Sequence, residues 1–229
     1  MPEFRQNLAT KEWVIIAPER SKRPRDNGEP AHLESPDLPK WRENCPFCLG
    51  NEKRTTVPVA VYPPAPAPWQ VRVVPNKYAA LNRDMEPTRT YTGRFLASEG
   101  FGVADVVIEH SRHDLSPAQM TDAEVALYLL AYRERYAAID RDMRINLVSI
   151  FRNHGPRAGT SLEHPHSQII ATPIVPPHVR DTVEQAVRHF DKNGTCVYCD
   201  VLREELRRGS GIVEETTHFV AFCPWASRS

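Results

Sequence analysis

The chain has 229 residues, 25% charged and 41% apolar, with 29 basic side chains balanced by 29 acidic ones. These are the proportions of an ordinary globular protein of one large domain or two small ones. Zero formal net charge excludes whole-molecule attraction to nucleic acid or to an anionic membrane. No apolar run in the sequence approaches a membrane span, and residues 1–7 lack the apolar centre of a signal peptide, so the cytoplasm is the expected compartment.

Trp13–Pro18 is a short apolar run ended by proline and predicts a strand. Residues 18–44, rich in Pro, Arg, Glu and Asp, read as a polar loop. Residues 57–69, with five prolines, read as a second loop. Gln70–Pro75 and Phe101–Glu109 predict two strands of one sheet. Thr121–Asp142 predicts a helix, with Thr121 and Glu124 forming a capping box. Val125, Leu129, Tyr132, Tyr136 and Ile139 recur at spacings of four and three, and that face is expected to pack on the sheet. Leu147–Phe151 and His166–Val175 predict two more strands. The order implies an α+β fold, an antiparallel sheet with a helix packed on one face.

Past Pro177 the pattern changes. Val183, Val187 and Phe190 mark a second helix ending near Gly194, residues 200–208 a charged helical piece, and residues 211–222 one or two strands. Residues 1–177 therefore read as a catalytic half and 178–229 as the start of an incomplete second half. An exposed sheet edge, prone to association, is the expected consequence.

Four of the five cysteines form two C-x-x-C pairs, Cys45/Cys48 and Cys196/Cys199; Cys223 stands alone among apolar residues and reads as a buried small side chain. In a reducing compartment such pairs read as metal ligands or redox dithiols. The loop around Cys45-Pro46-Phe47-Cys48 lacks the strand-then-helix setting of redox sites and suits a tetrahedral zinc half-site. Two further ligands are needed, and His164, His113 and His110 are available.

The segment His164-Pro165-His166-Ser167-Gln168 follows a glycine-spaced loop, residues 153–161, and opens an apolar run. Its two histidines are expected on opposite faces, one binding a metal and the other facing a cleft, with Pro165 stiffening the link. Imidazole has an ordinary pKa of about 6.5, so it is largely unprotonated at neutral pH and can attack phosphorus to form a covalent intermediate. Gln168, Asn153 and the Gly159-Thr160-Ser161 turn offer neutral donors for phosphoryl oxygens. Arg20 and Arg23 offer guanidinium groups suited to phosphate, and Asn76 follows a strand end, where ligand contacts concentrate.

These residues together resemble the galactose-1-phosphate uridylyltransferase family of the histidine-triad superfamily. The likeness runs through W-V-I-I-A-P-E-R-S-K-R-P (residues 13–24), C-P-F-C, V-V-P-N-K-Y-A-A-L (73–81), I-E-H-S-R-H (108–113) and N-H-G-x-x-A-G-x-S-x-x-H-P-H-S-Q (153–168). The resemblance implies a histidine-triad-like fold and a ping-pong reaction. In it, His166 takes UMP from UDP-glucose as a uridylyl-histidine and passes it to galactose 1-phosphate. Gln168 would donate to the phosphoryl group, and Arg20, Arg23, Asn76, Asn153, Gly159, Thr160 and Ser161 would contact substrate. Cys45, Cys48, His113 and His164 would hold Zn(2+), and a second zinc at Cys196 and Cys199, with His218 a further partner, is possible. A homodimer is implied, with no nucleic-acid or membrane partner.

Ser167 and residues 193–196 give some likeness to adenylyl-transferring phosphorylases of the same superfamily, acting on ADP-glucose or a dinucleoside polyphosphate; this is the alternative. Competing classes are a zinc-ribbon interaction module, disfavoured by the lack of basic stripes with aromatic platforms, and a catalytically dead nucleotide sensor.

Overall fold

The computed structural model describes residues 2–17, 38–155, 158–160 and 162–227. The elements in chain order are β1 (Glu3–Gln6), β2 (Trp13–Ile16), β3 (Ala60–Tyr62), β4 (Val71–Pro75), β5 (Arg89–Thr92), β6 (Phe95–Ser98) and β7 (Val103–Ile108). There follow α1 (Asp122–Ile139), β8 (Leu147–Phe151), β9 (His166–Thr172), α2 (Pro177–Asn193), α3 (Val197–Arg208), β10 (Ile212–Glu215) and β11 (Val220–Phe222). No helix among the described residues is long and apolar enough to cross a membrane.

The chain divides into two compact units. Residues 33–175 form one; residues 1–32 and 176–229 form the other. By contact, β1 and β2 group with the C-terminal residues. The contacts give the reason: Arg5 Nη1 donates to the Trp225 carbonyl at 2.8 Å, and the Arg5 and Arg208 guanidiniums lie 5.1 and 5.4 Å from the Trp225 ring. In the same unit the buried Glu205 accepts the Trp225 amide at 2.6 Å.

The larger unit is built on a five-stranded antiparallel sheet in the order β3-β4-β7-β9-β8. β7 is buried along its whole length, as expected of the central strand. Alternation gives the sheet two different faces. Val71, Val73, Val103, Val107, Ile169 and Ala171 point to one and pack against Ala131, Ile139, Tyr128 and Tyr132 of α1. Val74, Val106 and Ile108 point to the other and meet Cys45, Phe47, Cys48 and Trp69. Gly102, entering β7, is confined to glycine: a Cβ there would collide with the Ala171 carbonyl oxygen and lie 2.8 Å from Leu81 Cδ1.

Three expectations change. Residues 57–69 are not loop throughout, since Ala60–Tyr62 pairs with β4 as an edge strand. Three residues between prolines carry too little pattern to be read as a strand. The face of α1 is rotated from the one expected: Tyr132 and Ile139 do pack on the sheet, but Leu129 and Tyr136 remain 50% and 45% exposed. Apolar residues fill most of 125–132, so spacing supports several faces. The choice falls to polar contacts such as Arg135 Nε, 2.6 Å from the fully buried Asp105 carboxylate, which also takes Arg83 at 2.7 Å. Cys223, expected in a core, is exposed just beyond the short edge pairing of β10 and β11. The capping box of α1 forms as predicted, with Thr121 and Glu124 bonding each other's backbone amides.

Candidate active site and metal centre

The C-P-F-C turn is shaped before any ion is considered. The Asn51 carboxamide nitrogen lies 2.8–3.1 Å from the carbonyls of Arg42, Glu43 and Cys45, and Trp41 Nε1 donates to Leu49 O at 2.9 Å. The Arg42 amide points at Cys48 Sγ, 3.3 Å away. These bonds hold both sulfurs on the inside of the loop, where they meet two histidines.

Cys45, Cys48, His113 and His164 are all buried, with every ligand atom within 4.8 Å of the others. His164 Nδ1 lies 3.6 Å from Cys45 Sγ, 3.7 Å from Cys48 Sγ and 3.3 Å from His113 Nδ1; His113 Nδ1 lies 3.6 Å from Cys48 Sγ. A tetrahedral ion with bonds of about 2.3 Å to sulfur and about 2.0–2.1 Å to nitrogen sets its S–N edges near ~3.6 Å and its N–N edge near ~3.4 Å. These four edges match a tetrahedral ion, and the four residues can hold a metal.

Protonation agrees with that use. Burial pushes the Cys45 thiol up to about 11, with the Cys48 sulfur adding to the rise; a bound cation reverses this by favouring the thiolate. Burial pushes His164 down to about 3 and also lowers His113, so both stay neutral, the ligating form. His164 Nε2 donates to the His110 carbonyl at 2.7 Å, which fixes the tautomer and leaves Nδ1 for the ion. His110 thus serves through its backbone, while its ring pairs with Glu124 at 3.1 Å. Of the three histidines offered by sequence, His113 and His164 join the cluster.

His166 opens β9 and is half-buried. Its Nδ1 donates to the His164 carbonyl at 2.7 Å, so its Nε2 carries the lone pair. Phe47, from the cysteine turn, touches both rings, with centroids 5.3 Å from His166 and 6.0 Å from His164. The two histidines therefore lie on one side of the sheet, not on opposite sides. Alternation puts residues i and i+2 of an extended segment on the same face, and regular pairing begins only at His166, opposite Ile108.

Gln168 lies on the same face, between Val106 of β7 and Phe151 of β8, and its carboxamide has no hydrogen-bond partner among the described residues. Asn76 follows β4, anchored by its amide to Ala104 O at 2.9 Å, with its side chain closing a turn on the Tyr78 amide. Asn153 lies two residues past β8, in the direction of His166 across the sheet. Gly159 has a φ of 77°, and the buried Thr160 hydroxyl finds no partner among the described residues. Arg20, Arg23 and Ser161 lie outside the described residues.

Cys196 caps the N-terminus of α3 and Cys199 lies in its first turn, both exposed. Backbone amides of Cys199 and Tyr198 lower the Cys196 thiol. Among the described residues no third His, Cys or carboxylate joins them within ligating reach, and His218 is not part of such a group.

Residues 1–176 match the galactose-1-phosphate uridyl transferase N-terminal domain. The chain belongs to that uridyl transferase family. A relative named ADP-glucose phosphorylase, from Arabidopsis thaliana, is 34% identical over 99% of this chain and 63% of its own. A galactose-1-phosphate uridylyltransferase from Thermotoga maritima is 28% identical over the whole chain and 64% of its own. The crystal structure of an Arabidopsis thaliana ADP-glucose phosphorylase with bound ADP-glucose superposes with a TM-score of 0.79 at 32% identity, over 99% of this chain and 65% of that one. This member of the uridyl transferase family thus spans just under two thirds of the length of these relatives.

Sequence reasoning missed two parts of the site. Phe47 carries no role in the sequence reading, although an aromatic between two cysteines of a turn has no solvent reason to be there. Glu109, 1% exposed at the end of β7, was read as a strand residue, although a carboxylate ending an apolar run needs a buried partner.

Proposed function

We propose that this chain carries the nucleotidyl-accepting half of a nucleotidyltransferase, with His166 as nucleophile toward the α-phosphorus of a nucleoside diphosphate sugar. The observation that supports it best is the His166 Nδ1 bond to the His164 carbonyl, which leaves the lone pair on Nε2, two residues from Gln168, whose carboxamide has no partner among the described residues. Zinc is the ion we assign to Cys45, Cys48, His113 and His164; four protein ligands complete its coordination, so it supplies rigidity to His164 and no site for substrate.

Adenosine is the nucleoside we favour, on the strength of the 34% identity to an ADP-glucose phosphorylase and the 0.79 superposition. This reverses the preference read from sequence. In that reaction His166 Nε2 bonds to the α-phosphorus of ADP-glucose, the bond to the bridging oxygen breaks, and glucose 1-phosphate leaves. Inorganic phosphate then attacks the adenylyl-histidine, releasing ADP and restoring the imidazole. Gln168 donates to the phosphoryl oxygens as charge gathers there. Uridylyl transfer to galactose 1-phosphate is the second reading, favoured by the family match and the Thermotoga maritima relative. As in the family at large, two copies are taken to associate.

The test is single-turnover labelling of the metal-loaded chain with ADP-glucose and UDP-glucose in parallel. An acid-labile nucleotide adduct, formed faster with ADP-glucose and lost in His166→Ala, is expected. No adduct with either donor, or one that survives in His166→Ala, overturns the nucleophile; faster labelling by UDP-glucose overturns only the base.

A further inference from the structure

Behind His166, on the opposite face of β9, lies a closed polar cluster in an otherwise apolar core. Ser167 is 1% exposed and alternates with His166, so its hydroxyl points toward α1. There it meets the Tyr132 hydroxyl at 2.5 Å and donates to Glu109 Oε1 in a short bond. Tyr132, with one proton to give, shares it between the Ser167 hydroxyl and the same carboxylate oxygen, 3.0 Å away. Burial and the Glu109 charge raise the Tyr132 phenol, which keeps it a donor. The other carboxylate oxygen has Arg152 Nε 3.1 Å away, paired by charge without an aligned hydrogen bond. The Glu109 amide donates to the Pro165 carbonyl at 3.1 Å.

Glu109 therefore grips β9 on both sides of His166, through the backbone at 165 and the side chain at 167. Its charge also pairs with Arg152, the residue before Asn153 at the root of the glycine-spaced loop. Four elements meet at one carboxylate: β7, α1, the start of β9 and the end of β8. A buried carboxylate is costly without partners and, when satisfied, is a rigid node.

We infer that Glu109, with Tyr132, Ser167 and Arg152, is a positioning device for the nucleophile, a second anchor for His166 that does not use the metal. His164 restrains the imidazole from one side through its carbonyl; Ser167 restrains the strand from the other. This rests on the nucleophilic role proposed for His166. The residues of the anchor touch no reacting atom and act only through the aim of the ring.

Tyr132→Phe and Ser167→Ala each delete one hydroxyl and little volume, and Tyr136→Phe, on the exposed side of α1, is the control. All are prepared as the metal-loaded chain. Two readouts apply: the rate of His166 labelling by ADP-glucose across donor concentrations, and the nitrogen NMR signature of the His166 tautomer without substrate. The expected result is labelling slowed roughly 10- to 100-fold at unchanged half-saturating donor and unchanged bound metal. The Nδ1–H signal of His166 should exchange faster, and the double variant should lose less than the product of the singles. Unchanged labelling and tautomer in both variants overturns the anchor. So does a loss that tracks released metal or weaker donor binding. If the parent chain forms no adduct, the nucleophilic reading fails, and the NMR arm still decides whether Ser167 and Tyr132 hold the ring.

Discussion

The Nδ1 of His166 lies 2.7 Å from the carbonyl oxygen of His164, so a member of the Cys45, Cys48, His113 and His164 cluster sets the tautomer of its neighbour two residues on. The ring nitrogen that points outward is the basic one, and it stays so while the His164 carbonyl stays in place.

That dependence makes metal loss an indirect injury. His113→Ala removes a ligand without touching the 164–168 segment. Metal analysis should show an empty chain, and His166 labelling should slow roughly 10- to 100-fold. Labelling at the parent rate by a verified metal-free protein would separate the ion from the aim of His166.

Metal affinity should weaken as pH falls. With the Cys45 thiol near 11 in the metal-free chain, ion binding displaces its proton throughout the neutral range. Each unit of falling pH then costs at least about tenfold in apparent affinity between roughly pH 8 and 6. His164, held near 3 by burial, adds no competition in that window. Chelator competition at several pH values measures the slope; a flat profile would show that Cys45 is already ionised.

Phe47 is 8% exposed and contacts both histidines. Phe47→Ala should lower stability by about 3–5 kcal/mol in chemical denaturation. Phe47→Leu should restore most of the stability but less of the labelling rate, since a branched aliphatic side chain fills volume without the flat wall against the His166 ring. Equal recovery of both would reduce Phe47 to core filler.

Asp105 has a fully buried side chain held by Arg83 and Arg135. Arg135→Ala should destabilise the chain by about 3 kcal/mol, because half the compensation of a buried charge is removed. Adding Asp105→Asn should recover part of that loss. A stability change within about 0.5 kcal/mol would mean that Arg83 alone suffices.

Much of the site was legible because its signals are local. C-P-F-C and H-P-H place several reactive groups within a few residues, and the capping box at Thr121 and Glu124 needs only a spacing of three. Choosing His113 over His110 needed a resemblance, since both follow the same strand and only the fold turns one ring to the cysteines and the other to Glu124. The packing face of α1 was lost in a continuous apolar stretch, where helical period carries no phase. β3 and the β5–β6 hairpin were too short or too polar to register. The side on which His164 and His166 meet was misjudged by overlooking that two steps along an extended chain return to the same side. The Glu109 cluster was invisible because Glu109, Tyr132 and Ser167 lie 23 to 58 residues apart and converge only once the sheet is assembled.

The bond from Arg5 to the Trp225 carbonyl spans 220 positions. During synthesis, β1 and β2 are made long before the segment containing Trp225, and this contact cannot close until that segment emerges. Trp13 and Ile15 of β2 are 63% and 65% exposed, so this strand buries little of its own apolar surface while it waits. The central sheet, whose strands all fall between residues 60 and 172, can assemble meanwhile from nearer neighbours. The nascent polypeptide can thus finish its five-stranded sheet before β1 and β2 find their distant partner.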